Sequence, residues 1–464
     1  MDTNSSQTRF DVVIFIVLLA AAVATRLSGL SHWHLMADEY YTFYDSMERS
    51  VTLTNPAYYL LTTLSFDAFG QSELSARLPA FLFGALSIPV FFLTWKRIIG
   101  TNAAIITAIL ILLSSWHLWY SQQARFYSAV FLFGLLAYYF FYRAIREDRV
   151  TYLVLGTITS LIAALFHLTA ILIPAAFGIY CIVVLLFKSA RAGNSPKVAK
   201  IFSGVCVVAG LAALAFLIPI MSTWADSGQS WGYAPLSFAL QIAKYVQLPI
   251  VACALFGFLV LVVKDRWKAI FLLISIGVPV VGVLAASVFM PARPDYVFYI
   301  LPLVLALAGI FCEESRQALN RNVLLGSSVT VILIVTMLPE FVSNYLGRNS
   351  LDFRDTIRFV EGKYEQGDQL MSFVGGFAHY SDRDFELLKI PGNVHDNSVR
   401  WSETMNRLQQ SDGRTWIVLP ISRKLPAMGL NKWLLTNARL VRRDTAVRFD
   451  YTHRGYEVFL VERE

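Results

Sequence analysis

Apolar runs about as long as a bilayer is thick recur through the first three quarters of this chain, and nothing else restricts its fold as much. They fall near 12–30, 74–95, 101–118, 126–142, 151–166, 168–187, 201–221, 239–263, 269–289, 297–311 and 323–341. Backbone N–H and C=O groups in hydrocarbon must be satisfied within their own segment, so runs of this kind become helices. The expectation is a polytopic α-helical membrane protein of about eleven spans. Composition agrees: 56% of residues are hydrophobic and 15% charged, against about 45–50% and about 25% in soluble domains. The stretch 151–187 is divided at Phe166-His167, being too long for one helix and too apolar for a loop. Ala22-Val23-Ala24 has the form of a signal cleavage site. Arg9 is offset by Asp2 and Asp11, however, and without a basic flank the segment reads as a retained first helix.

The net charge of +7 sits in short clusters between apolar runs, which excludes a nucleic-acid face and sets topology instead. If the first loop is external, the internal connections hold Lys96 and Arg97; Arg143, Arg146 and Arg149; Lys188, Arg191, Lys197 and Lys200; Lys264, Arg266 and Lys268; Arg316 and Arg321. The opposite short loops hold little beyond Arg49, Arg125 and Arg293. Basic residues stay on the non-translocated side, so the first loop, and after an odd number of spans the C-terminal region, face outward. Cys181, Cys206, Cys253 and Cys312 lie in or beside apolar runs with no metal-ligand spacing, and read as small unpaired core residues.

Two parts are expected: 1–344, the membrane domain with its first external loop at 31–73, and 345–464, an extracytoplasmic α/β domain. In the second, "QLMSFVG" (369–375), "TWIVLP" (415–420) and "GYEVFLVE" (455–462) read as strands. "LDFRDTIRFVEGKY" (351–364) has helical spacing.

The first loop contains "HLMADEYYTF", which puts Asp38 and Glu39 just beyond a span. Its second half, with Pro56 in a first turn and Tyr58, Leu61, Leu64 and Phe66 apolar, predicts an amphipathic helix on the membrane surface. Adjacent carboxylates there are as well explained by a solvated helix end as by chemistry, and they need a partner to mean more. Candidates come from two other outward turns. "WYSQQARFYS" offers Arg125 among Tyr120, Gln122, Gln123 and Tyr127, and "MPARPDYVFYILP" offers Arg293 and Tyr296. A snorkelling arginine accounts for Arg125 alone. A guanidinium with amide and phenol donors also matches a phosphate. His167 is placed on the same side.

These blocks resemble, in order and over nearly the whole chain, the GT-C membrane glycosyltransferases that take sugars from polyprenyl phosphate. The family contains dolichyl-phosphate-mannose–protein mannosyltransferases and bacterial aminoarabinose transferases. "ADEYYTF" is similar to its first-loop Asp-Glu, "NPAYYLL" with "FGQSELSARLPAFLFGALSIPVFF" to its next segment, and "WYSQQARFYS" to its Tyr-Ser-Gln-Glu-Ala-Arg-x-Tyr block. "RPDYVFYILPLVLALAG" and "DFRDTIRFVEGKYEQGDQLM" are similar to its late Arg/Tyr segment and external domain. Gln123 stands where the family often has Glu, and Thr54-Asn55 precede Pro56 where aminoarabinose transferases have Lys.

The resemblance implies an inverting transfer at the outer side of a bacterial inner membrane, from a polyprenyl-phosphate sugar to a lipid, glycan or protein hydroxyl. Asp38 would be the base, with Glu39 assisting. Arg125, Arg293, Tyr127 and Gln122 would hold the donor phosphate, and Tyr40, Tyr58, Tyr120, Gln123, His167 and Tyr296 are further substrate contacts. Asp38 and Glu39 are candidate ligands for a divalent cation, Mg or Mn. A lipid or sugar transporter or flippase would instead show mid-bilayer charges or inverted repeats. A catalytically inactive scaffold is the third class.

Overall fold

The computed structural model describes residues 3–31, 34–50, 55–206, 235–287, 293–319, 323–346, 353–372, 377–381, 386–387, 406, 413–421, 430–447 and 453–462. They divide into two compact units, Met1–Leu30 with Thr42–Phe341, and Ser31–Tyr41 with Val342–Glu464. The sequence grouped all of 31–73 with the membrane part, whereas Ser31–Tyr41 clusters with the C-terminal residues.

The first unit is helical: α1 (Thr3–Leu27), α2 (Ala37–Met47, which begins in the second unit), α3 (Pro56–Phe69), α4 (Glu73–Ile99), α5 (Thr101–Leu113) and α6 (Ser115–Ser121). Then come α7 (Tyr127–Glu147), α8 (Val150–Phe166), α9 (Leu172–Leu186), α10 (Pro235–Val246), α11 (Leu248–Lys264), α12 (Arg266–Ala286), α13 (Leu301–Ala318) and α14 (Val323–Leu346). Seven helices among the described residues are long and apolar enough to cross a membrane, or nine if each of two bent pairs is one span. The expected division at Phe166-His167 is where α8 ends. Most of the span expected at 201–221 lies outside the described residues.

Two expected spans are broken, which corrects the reading of each as one straight helix. The run 101–118 bends by 62° between α5 and α6. Ser114 leaves helical geometry there, and its hydroxyl accepts the His117 N–H at 3.3 Å. The run 239–263 bends by 96° between α10 and α11. Gln247 takes a φ of 76° just before Leu248-Pro249, where the proline ring would obstruct a continuing helix. In α3, Pro56 sits at the start as expected, but the apolar residues part: Tyr58 and Phe66 are buried, while Leu60 and Leu64 form an exposed stripe.

The basic connections gather at one end of the bundle. Arg146 reaches Asp265 at 3.4 Å, Lys268 donates to the Ile98 carbonyl at 2.9 Å, and Asn102 donates to Glu313 at 3.2 Å. Lys96 pairs with Asp11 and Lys264 with Glu314. Two open grooves of about 440 and about 410 Å³ lie at this end, lined by Asp11, Lys96 and Arg97 in one and by Asn102, Glu313 and Arg316 in the other.

The second unit holds a five-stranded mixed sheet with β1 Gln369–Ser372, β2 Glu386–Leu387, β3 Thr415–Pro420, β4 Arg439–Val447 and β5 His453–Val461, in the order β2-β1-β3-β5-β4. Alternation along the strands gives it two apolar faces. Leu370, Trp416, Val418, Val458 and Leu460 pack under α15 (Phe353–Glu361), whose Phe353, Ile357 and Val360 point inward. Met371, Ile417, Leu419, Phe459 and Val461 pack against Leu434 of α16 (Leu430–Asn437).

Candidate active site

In the first unit three turns meet. The first, 122–126 between α6 and α7, carries Arg125, whose guanidinium donates to Thr42 Oγ1 at 3.3 Å and lies 4.8 Å from the centre of the Phe126 ring. Phe126 stacks on His167, the residue between α8 and the next helical turn, with centroids 4.5 Å apart. His167 in turn lies 4.8 Å from Tyr296 of the third turn. Thr169 ties the last two together: its hydroxyl donates to the Tyr296 carbonyl at 2.8 Å, and its own carbonyl accepts from Tyr299 at 2.8 Å. Having given its one proton away, the Thr169 hydroxyl accepts from His167 Nδ1 at 2.6 Å. His167 therefore carries its proton on Nδ1. The third turn also places Arg293 2.9 Å from the buried carboxylate of Asp295. Tyr127 lies tilted against Tyr120, with ring centres 4.0 Å apart.

The residues expected to hold a phosphate are thus largely brought together, with one exception. Gln122 is turned away, its amide donating to the Arg26 and Ser28 carbonyls at 2.9 Å each, at the C-terminal end of α1. That amide satisfies helix-end acceptors. Tyr58 is likewise a core residue, its hydroxyl donating to the Ala76 carbonyl at 3.4 Å. Gln123 is half-buried, and its carbonyl accepts the Arg125 N–H at 2.6 Å.

Below this turn lies a buried polar group that the sequence reading did not single out. Arg26 approaches His117 Nδ1 at 3.1 Å and donates to the Ile111 carbonyl at 3.2 Å, and Ser87 meets His117 Nε2 at 2.9 Å. Arg26 and His117 are fully buried. With Gln122 they fix α6, and so the turn bearing Arg125, to α1 and α4. Arg26 inside an apolar run was the available signal, since an ionisable residue there needs a partner.

Asp38, Glu39 and Tyr40 belong to the second unit. They open α2, where Glu39, 1% exposed, turns back to accept the Met36 N–H at 2.9 Å. This is half of a capping box, in which a third-position Glu satisfies an orphan donor before the helix. Asp38 precedes it, half-buried. Among the described residues no group of three or more His, Cys, Asp or Glu side chains is placed to hold a metal ion. Tyr40 packs edge-on to His379 and Tyr380, at 5.7 and 6.4 Å, and burial pushes its hydroxyl far above the ordinary phenol value.

Comparison with solved structures places this arrangement. The chain superposes on ArnT from Cupriavidus metallidurans in the apo state with a TM-score of 0.56 over 98% of both chains, at 14% identity. The fold is shared with ArnT. A second structure of ArnT, bound to undecaprenyl phosphate, matches with a TM-score of 0.55 at 14% identity, over 96% of this chain and 97% of ArnT. A family model described as dolichyl-phosphate-mannose-protein mannosyltransferase matches residues 54–215. That stretch includes Arg125 and His167 but neither Asp38 nor Arg293. No curated protein sequence matches the chain.

Proposed function

We propose that the protein is a membrane glycosyltransferase that moves a sugar from a polyprenyl phosphate to an acceptor hydroxyl on the outer side of a bacterial inner membrane. The observation that carries this reading is the chain of contacts at one end of the bundle from Arg125 through Phe126 and His167 to Tyr296, on the turn that also bears Arg293. The shared fold and the family match support it, and the undecaprenyl phosphate bound to ArnT supports a polyprenyl-phosphate carrier. The gathering of the basic connections at the other end supports the outward direction of this one.

A glycosidase needs an acid because its leaving alkoxide must be protonated. A phosphate leaves as an anion, so one base and some positive charge suffice. In the proposed step Asp38 takes the acceptor hydroxyl proton while that oxygen attacks the anomeric carbon from the face opposite the phosphate. The new C–O bond forms with inversion, the bond to the phosphate oxygen breaks, and its electron pair stays on the departing polyprenyl phosphate. Asp38 is preferred to Glu39 because Glu39 closes the helix cap. Arg125, together with Arg293 of the neighbouring turn, supplies positive charge for the departing phosphate. A positioned base contributes roughly 10²–10⁴-fold in rate.

The test uses the full-length protein in lipid nanodiscs with a labelled undecaprenyl-phosphate sugar and total membrane lipid as acceptor. Release of undecaprenyl phosphate should occur with the wild type and fall by at least about 10²-fold in Asp38→Asn. An Asp38→Asn variant of near wild-type rate would sink the base assignment. Movement of the lipid across the bilayer without cleavage would establish a transporter.

A further inference from the structure

We infer that His34 and Tyr380 of the second unit position Asp38 by holding the segment that carries it; this rests on the reading of Asp38 as the base. Residues Ser31–Tyr41 lie far upstream in the chain but cluster with Val342–Glu464. The connection is made by specific bonds. His34, 4% exposed, accepts through Nδ1 the N–H of Phe353 at 3.3 Å. Phe353 opens α15, so the imidazole satisfies a donor that the helix itself leaves unpaired. With Nδ1 accepting, the neutral ring carries its proton on Nε2, which faces the Tyr456 hydroxyl at 3.3 Å. One residue on, the Leu35 N–H donates to the Tyr380 hydroxyl at 2.7 Å. The Met36 N–H goes to Glu39, and Tyr40 closes the segment against His379 and Tyr380.

Asp38 is therefore bracketed. Before it the His34 ring and the backbone N–H groups of Leu35 and Met36 are all bonded, and the aromatic ring two positions after it is packed in the same unit. A base works only where its oxygen meets the proton, and a displacement of 1 Å can cost on the order of 10²-fold in rate. His34 and Tyr380 are positioning residues, and α15 and the sheet beneath it form the platform on which the segment bearing Asp38 is held.

The experiment compares Tyr380→Phe, His34→Leu and His34→Asn in the full-length protein with wild type and Asp38→Asn. The readouts are kcat, donor KM and hydrogen exchange of a 34–40 peptide. Tyr380→Phe removes only the hydroxyl, and His34→Asn keeps an acceptor near the position of Nδ1. Positioning predicts that kcat falls about 10-fold in Tyr380→Phe and about 10²-fold in His34→Leu while donor KM changes less than about threefold. His34→Asn should recover most of the loss, and the 34–40 amides should exchange faster in the two damaging variants while 353–361 stays protected. If Asp38→Asn is inactive but Tyr380→Phe and His34→Leu keep kcat within about twofold, the inference is overturned and the base assignment stands. If Asp38→Asn is fully active, the base assignment fails and the inference fails with it. A general collapse of protection across 353–461 would reduce the contacts to ordinary folding contacts and also overturn it.

Discussion

Arg125 and Arg293 are the two cations proposed to meet the donor phosphate, and that role is measurable. Arg125 donates to a hydroxyl and lies over an aromatic face, and Arg293 stands 2.9 Å from Asp295. Undecaprenyl phosphate, titrated onto the protein in nanodiscs, should bind about tenfold more weakly to Arg125→Ala. An unchanged affinity would remove Arg125 from the phosphate site. A second prediction concerns Arg26. Replacing it with Leu removes a buried contact to His117 Nδ1 and a hydrogen bond to the Ile111 carbonyl, so the thermal midpoint should fall by several degrees. An unchanged midpoint would show that the Ser87 and Gln122 hydrogen bonds and packing hold α6 without Arg26. Arg125 and Arg293 were legible in the sequence because lone cations among outward aromatics stand out. Asp295 was not, since an acid two residues from an arginine reads as solvated. The Arg26–His117 contact spans 91 positions and cannot be read from either residue alone.

Among the elements, α11 and α13 approach so closely that a Cβ on Gly257 would overlap the Leu307 carbonyl oxygen. Backbone cannot move aside as a side chain can. Gly257→Leu should therefore abolish a monodisperse product, and Gly257→Ala should lower the midpoint by the equivalent of about 1–3 kcal/mol, read by thermal unfolding. A wild-type midpoint for Gly257→Ala would show that the pair is free to separate. The spans were largely legible because hydropathy reports burial in lipid. The bends were harder to see: Pro249 announces one in principle, but Ser114 breaks the other with a local hydrogen bond that average hydropathy does not register. In the second unit the three inner strands and α15 were expected. The missed strand β4, "RLVRRDTAV", lies at the sheet edge, where charged residues replace the alternation that marks a strand.

At the scale of the whole molecule, the second unit should respond to acid. Burial pushes His379 below its ordinary value of 6.5. The folded unit prefers the neutral ring, so its contribution is full above about pH 6.5 and is lost as the pH falls towards the depressed value, where the unfolded chain takes the proton first. Exchange protection of 353–361 should accordingly weaken between pH 6.5 and pH 5 in wild type, and less so in His379→Gln. The division of the chain has a further consequence during synthesis. Ser31–Tyr41 leaves the ribosome about 300 residues ahead of the partner that receives it, a delay of roughly 15–60 s at ordinary elongation rates. Until then His34 has no helix to cap. On the positioning inference, the segment bearing Asp38 acquires its anchor only once α15 has emerged and folded.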